Sequence, residues 1–322
     1  MYYRVEQVLE KQQAKTEKFY RGRGILICET DQGLFALKEF RGQEQKAEYL
    51  YQLGGFLTDH HIRCDFMLKN AEDELITEGP DGTKYTFHHW IKGRECDARS
   101  RMDLVMTVSF LAGFHSACEG VMQTERRPET AYAEYVRRDR ELRRIRKYIA
   151  ARKNKSGFEL LYLKCFPEYL RQSEDTLRFL SGRQDIFDNH TMGVCHGDFN
   201  QHNVITDADG MALIHMEHAR YDAQVADLGN FLRKSLEKHE WSETLGLEMM
   251  REYDRVHTLN ESDWIELFCR LSYPEKFWKI ANHYYYSNKV LDSGQHYEKL
   301  RRELRQNEAR RRFLETLKRA KL

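Results

Sequence analysis

The sequence predicts an α+β chain of two lobes, a small sheet-bearing lobe followed by a large helical one. Three observations lead there. The first ninety residues read as short strands around one amphipathic helix, long helical patterns take over after Lys92-Gly93, and only four prolines interrupt the 322 residues. With 41% hydrophobic side chains, a chain of this length can bury one large core or two lobes.

Taken in order, Gly24 to Thr30 is an apolar run, Asp31-Gln-Gly33 is a turn signal, and Leu34 to Phe40 resumes the β pattern, which together predict a hairpin. From Gln43 to Leu57 the residues Tyr49, Leu50, Leu53, Phe56 and Leu57 fall at helical spacing and give one buried stripe. Arg63 to Leu68 and Lys84 to Ile91 read as further strands, with Gly79-Pro-Asp-Gly82 as a turn. The expected boundary therefore falls near residue 92, with a sheet lobe over 1–92 and a helical lobe over 93–322 that carries a loop at 194–217. Around that loop, Val204-Ile205 and Met211 to Ile214 are short apolar runs joined by Thr206-Asp-Ala-Asp-Gly210, a hairpin composition. No repeat or low-complexity segment is found.

Charge is balanced, 52 Lys+Arg against 51 Asp+Glu, which argues against a nucleic-acid partner. The Arg-rich tracts at Tyr135 to Lys147 and Arg301 to Leu322 read as solvated helix faces, with an acidic partner or anionic surface as the alternative. Seven scattered cysteines without a C-x-x-C pair predict reduced, mostly buried thiols. Met1 to Glu6 lacks the apolar core of a signal peptide and no apolar run reaches a membrane span, so the expectation is a soluble, intracellular protein.

The segment from Val194 to Ile205, Val-Cys-His-Gly-Asp-Phe-Asn-Gln-His-Asn-Val-Ile, is the most informative. It sets Asp198 and Asn203 at the spacing of a phosphoryl-transfer loop, the aspartate to meet a substrate hydroxyl and the asparagine to meet a metal. Such chemistry also needs a lysine on the phosphates, and Lys38 sits on a strand with Glu44 on the following helix as its expected ion-pair partner. Glu48, one turn further, is the fallback, and an exposed surface lysine is the plain alternative.

His215 stands where a metal-binding aspartate is expected, and imidazole is a poor ligand for Mg²⁺. Glu217, two residues on, would share its face if the segment is a strand and could still reach the metal. Asp198, Asn203, His215 and Glu217 should then converge at one cleft between the lobes. His196 reads as a loop brace, although His196, Asp198 and His215 or His218 also hold the ligand types of a two-histidine, one-carboxylate iron site. Asp227 opens a helix or braces the loop from below, and Tyr20 to Gly24 is an incomplete phosphate-loop pattern.

Over nearly its whole length the chain resembles the CotS-related spore coat proteins of endospore-forming Firmicutes. These form a branch of the kinase-like superfamily that includes aminoglycoside and choline phosphotransferases. The resemblance rests on Arg21-Gly-Arg-Gly24, Leu37-Lys38, Trp90 to Arg94, Leu111 to His115, the loop from His196 to Asn203, Gln224 to Leu228 and Tyr273 to Trp278. It implies a two-lobed kinase-like fold binding ATP, with a hinge near His88 to Ile91 that brings His89, Trp90 and Ile91 to the nucleotide. It further implies Asp198 as base, Asn203 as a ligand of weakly held Mg²⁺, and Lys38 and Glu44 as the phosphate pair. Coat proteins or a small-molecule acceptor would be the partners, in the mother cell or the coat. Two functions stay open: a catalytically weak or inactive coat component with a nucleotide-shaped cleft, and an active phosphotransferase on a small hydroxylated substrate or coat component.

Overall fold

The computed structural model describes residues 8–12, 16–22, 25–124, 128–286 and 293–322. Two compact units emerge, Met1–Asp97 with His196–Arg220, and Ala98–Cys195 with Tyr221–Leu322. The loop expected with the helices thus groups with the sheet. The cause is backbone pairing, since Leu213 exchanges hydrogen bonds with Arg63 and Asp65, and Cys96 donates to Val204.

In the first unit, β1 (Thr16–Arg21), β2 (Leu26–Thr30), β3 (Gly33–Glu39), β4 (Met67–Leu68), β5 (Thr77–Glu78) and β6 (Lys84–His89) form one antiparallel sheet. Its order is β1-β2-β3-β6-β4, with β5 also on β6. Opposed residues share a face, so the pairs Ile27 with Ala36, Ala36 with His88 and Lys38 with Thr86 put Ile27, Ala36, Lys38, Thr86 and His88 on one side. Leu26, Cys28, Leu37 and Phe87 fall on the other, in a core with Val8 and Leu9. Helix α1 (Glu44–Asp59) buries Ala47, Leu50, Leu53, Gly54 and Leu57 at the predicted spacing. Gly54 is required there, because a Cβ would lie 2.7 Å from that of Phe66. A second sheet, β10 (Gly210–Leu213), β9 (Val204–Asp207) and β7 (Arg94–Glu95), carries the predicted hairpin. Arg63 grips its turn through paired 2.7 Å bonds to both Asp207 oxygens.

The second unit is helical: α2 (Arg101–Ala117), α3 (Ala131–Ala151), α4 (Gly157–Leu180), α5 (Gln184–Asn189), α6 (Val225–Leu236), α7 (Glu243–Val256), α8 (Glu261–Ser272), α9 (Glu275–Tyr286) and α10 (Ser293–Lys321), with β8 (Met192–Cys195) paired to β11 (Arg220–Ala223). Side-chain caps fix where several helices begin, with complete capping boxes at Ser156 and Asn260. The Arg-rich tracts are not merely solvated faces. On α10, Leu300, Glu303, Asn307, Arg310, Phe313 and Leu317 form a buried stripe, and on α3 the Arg138 guanidinium stacks 4.2 Å from the Trp278 ring. All seven cysteines are buried and form no disulfide.

Candidate functional site

The loop is built around Gly197, whose φ of +82° suits glycine and whose absent Cβ would otherwise stand 2.2 Å from the His218 carbonyl oxygen. Buried His196 braces it. Its Nε2–H donates to Ile214 O at 2.9 Å while Nδ1 accepts the Asp198 N–H at 3.3 Å, which fixes one tautomer. The Asp198 carbonyl accepts from the side-chain amides of both Asn200 and Asn203 at 2.8 Å, and Asn203 Nδ2 also reaches Asp198 Oδ2 at 3.4 Å. Because Ile214 N–H donates to Asn203 O, the loop and the start of the His215 segment are locked together.

His215 is left-handed (φ 66°) and precedes a 3₁₀ turn, Met216–His218, rather than continuing a strand as expected. The backbone reverses because buried Asp65 captures two successive amides, His215 N at 2.7 Å and Met216 N at 3.3 Å. The turn still brings Glu217 back to His215, whose Nδ1–H donates to Glu217 Oε1 at 2.9 Å.

Lys38 is 5% exposed, and its partners differ from the expected one. Its ammonium donates to Asp65 Oδ2 at 2.7 Å and Glu217 Oε2 at 2.8 Å. Glu44 and Glu48 are both exposed on α1, and Glu44 sits in the first turn, where a carboxylate favours the helix dipole. Two carboxylates delivered from buried backbone outcompete a solvated one at a helix end. Burial works against the Lys38 charge, yet Asp65 and Glu217 together raise its pKa. Glu217 likewise resists burial through its bonds from His215 and Lys38, which hold it well below the ordinary carboxylate range. His88, behind this cluster, is pushed down to about 4 by burial and then by the Lys38 charge. Its ring is satisfied as the neutral form, with Nδ1–H donating to Asp65 O at 3.1 Å and Nε2 accepting from the Thr86 hydroxyl at 2.9 Å.

A cavity of about 490 Å³ opens within this unit, inside the size range of small-molecule sites. Ile25, Ile27, Trp90, Ile91, Ile205 and Ile214 line it, together with Asp198, His202, Asn203, His215, Glu217 and His218. The predicted loop residues therefore do converge on one cavity. Trp90 and Ile91 line it too, whereas His89 is exposed and stacks on Phe66 with ring centroids 5.4 Å apart. Lys38 is not a lining residue; Glu217 is. Arg23 and Gly24, the end of the expected glycine loop, lie outside the described residues, as does Met1 to Glu6.

The iron-site alternative does not hold. Among the described residues, His115, Cys195 and Asp227 form the one group of three His, Cys, Asp or Glu side chains within metal-ligating reach of one another, and His196 spends both ring nitrogens on the backbone. His115 instead serves the second unit's core, its Nδ1 bonded to Tyr253 OH at 2.7 Å and its Nε2 lying 3.5 Å from Asp227. Mg²⁺ also fits poorly. It demands oxygen ligands, and at the His215 position the cavity offers an imidazole beside the Asn203 amide, while the Glu217 carboxylate is already shared between Lys38 and His215. Sequence reasoning missed Asp65, which belongs to no motif, and the Glu95 carboxylate that accepts from His202 Nδ1 at 2.5 Å.

Comparison with known proteins places this geometry. The family described as "Spore coat putative kinase YutH" matches residues 6–317. The chain belongs to that family. Spore coat protein S of Bacillus subtilis (strain 168) is 25% identical over 289 residues, 86% of this chain and 81% of the relative. An aminoglycoside phosphotransferase from Alicyclobacillus acidocaldarius superposes with a TM-score of 0.85 at 20% identity, covering 98% of this chain and 95% of that one. An amicoumacin kinase solved with AMP-PNP and Ca²⁺ gives 0.63 at 12% identity, covering 96% and 92%. These likenesses establish the two-lobed, kinase-like α+β fold of this spore coat family member. No helix among the described residues is long and apolar enough to cross a membrane.

Proposed function

We propose that this chain is a kinase-like component of the spore coat that holds a nucleotide in the 490 Å³ cavity and turns it over weakly or not at all. The observation that carries the reading is the condition of Lys38. In a phosphotransferase a carboxylate partner holds this lysine over the phosphates; here two carboxylates hold it away from the cavity lining, and one of them, Glu217, stands at the cavity surface in its place. The apolar lining from Ile25, Ile27, Trp90 and Ile91 suits a planar base. With His215 in the metal position, no Mg²⁺-dependent step is assigned to these residues. Coat association rests on the family, and coat proteins are the proposed partners.

A second reading, an active phosphotransferase on a small hydroxylated substrate or coat component, is favoured by one observation. Asp198 and Asn203 keep the loop geometry that a hydroxyl-orienting aspartate requires.

Thermal unfolding with ATP, with and without Mg²⁺, tests the first reading. A ligand selective for the native state stabilises it by about 2.7 kcal/mol at a hundredfold excess over Kd, so saturating ATP should raise Tm by several degrees even without Mg²⁺. An unmoved Tm with every nucleoside phosphate tried would overturn nucleotide binding. Mg-dependent ATP turnover on the order of 1 s⁻¹ or faster would favour the second reading.

A further inference from the structure

His215 does more than remove an oxygen ligand. Its Nδ1–H is spent on Glu217, and among the described residues Nε2 makes no hydrogen bond, in a ring that lines the cavity beside Asn203. A carboxylate behind one ring nitrogen with the other nitrogen presented is how proteins orient an imidazole toward a metal. Asn203 points its Nδ2 at Asp198, which leaves its Oδ1 as the atom able to ligate. A cation would also aid a polyphosphate here, since among the described residues the cavity is lined by the carboxylates of Glu95, Asp198 and Glu217 against one lysine, Lys92.

Resting on the nucleotide reading above, we infer that the cation position of this cavity takes, rather than Mg²⁺, a borderline divalent ion that binds imidazole, of the Co²⁺ or Zn²⁺ kind. The ion is carried in on the phosphates of a nucleotide and held by His215 Nε2 and Asn203 Oδ1. Imidazole suits such ions, and affinity for nitrogen donors climbs along the first-row series, whereas Mg²⁺ stays with oxygen. The left-handed backbone at His215 does not oppose the substitutions that test this, because aspartate and asparagine are the side-chain-bearing residues that adopt it most readily.

The experiment titrates ATP calorimetrically into the full chain in Mg²⁺, Co²⁺ or Zn²⁺, for the wild type, His215→Asp and His215→Asn. In parallel, the visible absorption of Co²⁺-ATP is recorded on each protein. The wild type should prefer Co²⁺-ATP over Mg²⁺-ATP by at least about tenfold more than His215→Asp does. The Co²⁺ bands should shift on the wild type in the way a nitrogen ligand shifts them, and not on either variant. Equal preference ratios in wild type and variants, with ATP still bound, overturn the inference and leave the nucleotide reading intact. If no nucleotide binds with any cation, the nucleotide reading itself fails and takes the inference with it.

Discussion

Replacing Asp65 by asparagine removes one charge from the most buried ionic cluster of the first unit while keeping its shape and one acceptor. The Asp65 side chain is fully shielded from solvent, and it accepts from Lys38 Nζ and from the amides of His215 and Met216. Breaking a buried ion pair costs about 3–5 kcal/mol because the stranded partner stays in a poor medium. Lys38 keeps Glu217, so the expected loss is nearer 2–4 kcal/mol. At about 3 °C per kcal/mol for a unit of this size, Tm should fall by roughly 6–12 °C. Urea unfolding followed by circular dichroism measures it, with Lys38→Met and the double variant completing a cycle. The double variant should lose at least about 1 kcal/mol less than the sum of the single losses, since removing Lys38 removes the charge that Asp65 answers. A loss under about 0.5 kcal/mol for Asp65→Asn, or strict additivity, would refute the claim that this pair organises the site.

The pH dependence of stability should carry the signature of His88. Its folded pKa of about 4 lies below the unfolded value of about 6.5. The unfolded chain therefore binds more protons between those limits, and stability falls as pH drops through that window, by about 2 kcal/mol from pH 7 to pH 5. His88→Gln should remove that part of the slope in urea titrations at the two pH values; an unchanged slope would show that His88 titrates freely. Gly197→Ala should destabilise by about 2–4 kcal/mol, read by thermal melting, because its methyl meets the His218 carbonyl at 2.2 Å in a left-handed backbone. His215→Asp should tighten Mg²⁺-ATP binding by about tenfold in calorimetry, and Asn203→Ala added to it should cancel the gain. Tight wild-type binding that ignores both changes would mean that another group supplies the metal site.

What the sequence made legible is local. The hairpin of β2 and β3 declares itself through Asp31-Gln-Gly33, α1 through its apolar stripe, and the β9–β10 turn through Thr206 to Gly210, each because a few neighbouring residues decide the backbone. Strand β1, Thr-Glu-Lys-Phe-Tyr-Arg, stayed hidden because an edge strand with a mostly exposed pattern has no buried face to advertise. The partners of Lys38 stayed hidden for a different reason. Sequence reading offered Glu44, six positions away, while the fold supplied Asp65 and Glu217 from 27 and 179 positions away. No short-range pattern encodes the parallel bridge of Cys64 to Leu213 that brings them together.

That bridge also explains why the residues that were legible as a set are not bonded as the set implies. Asp198, Asn203 and His215 lie on one hairpin and its approach, so their spacing alone predicts convergence, and they do converge. Glu217 was expected to rescue the metal from the neighbouring position. Instead its two oxygens are divided, one to the Lys38 ammonium and one to the His215 ring, and each bond deepens the other's hold by keeping the carboxylate ionised despite burial. A carboxylate so placed already spends one lone pair on each oxygen, so a cation would compete for it with Lys38 and His215. The same carboxylate that holds Lys38 therefore orients the His215 imidazole, and His215 and Lys38 are two ends of one ionic chain.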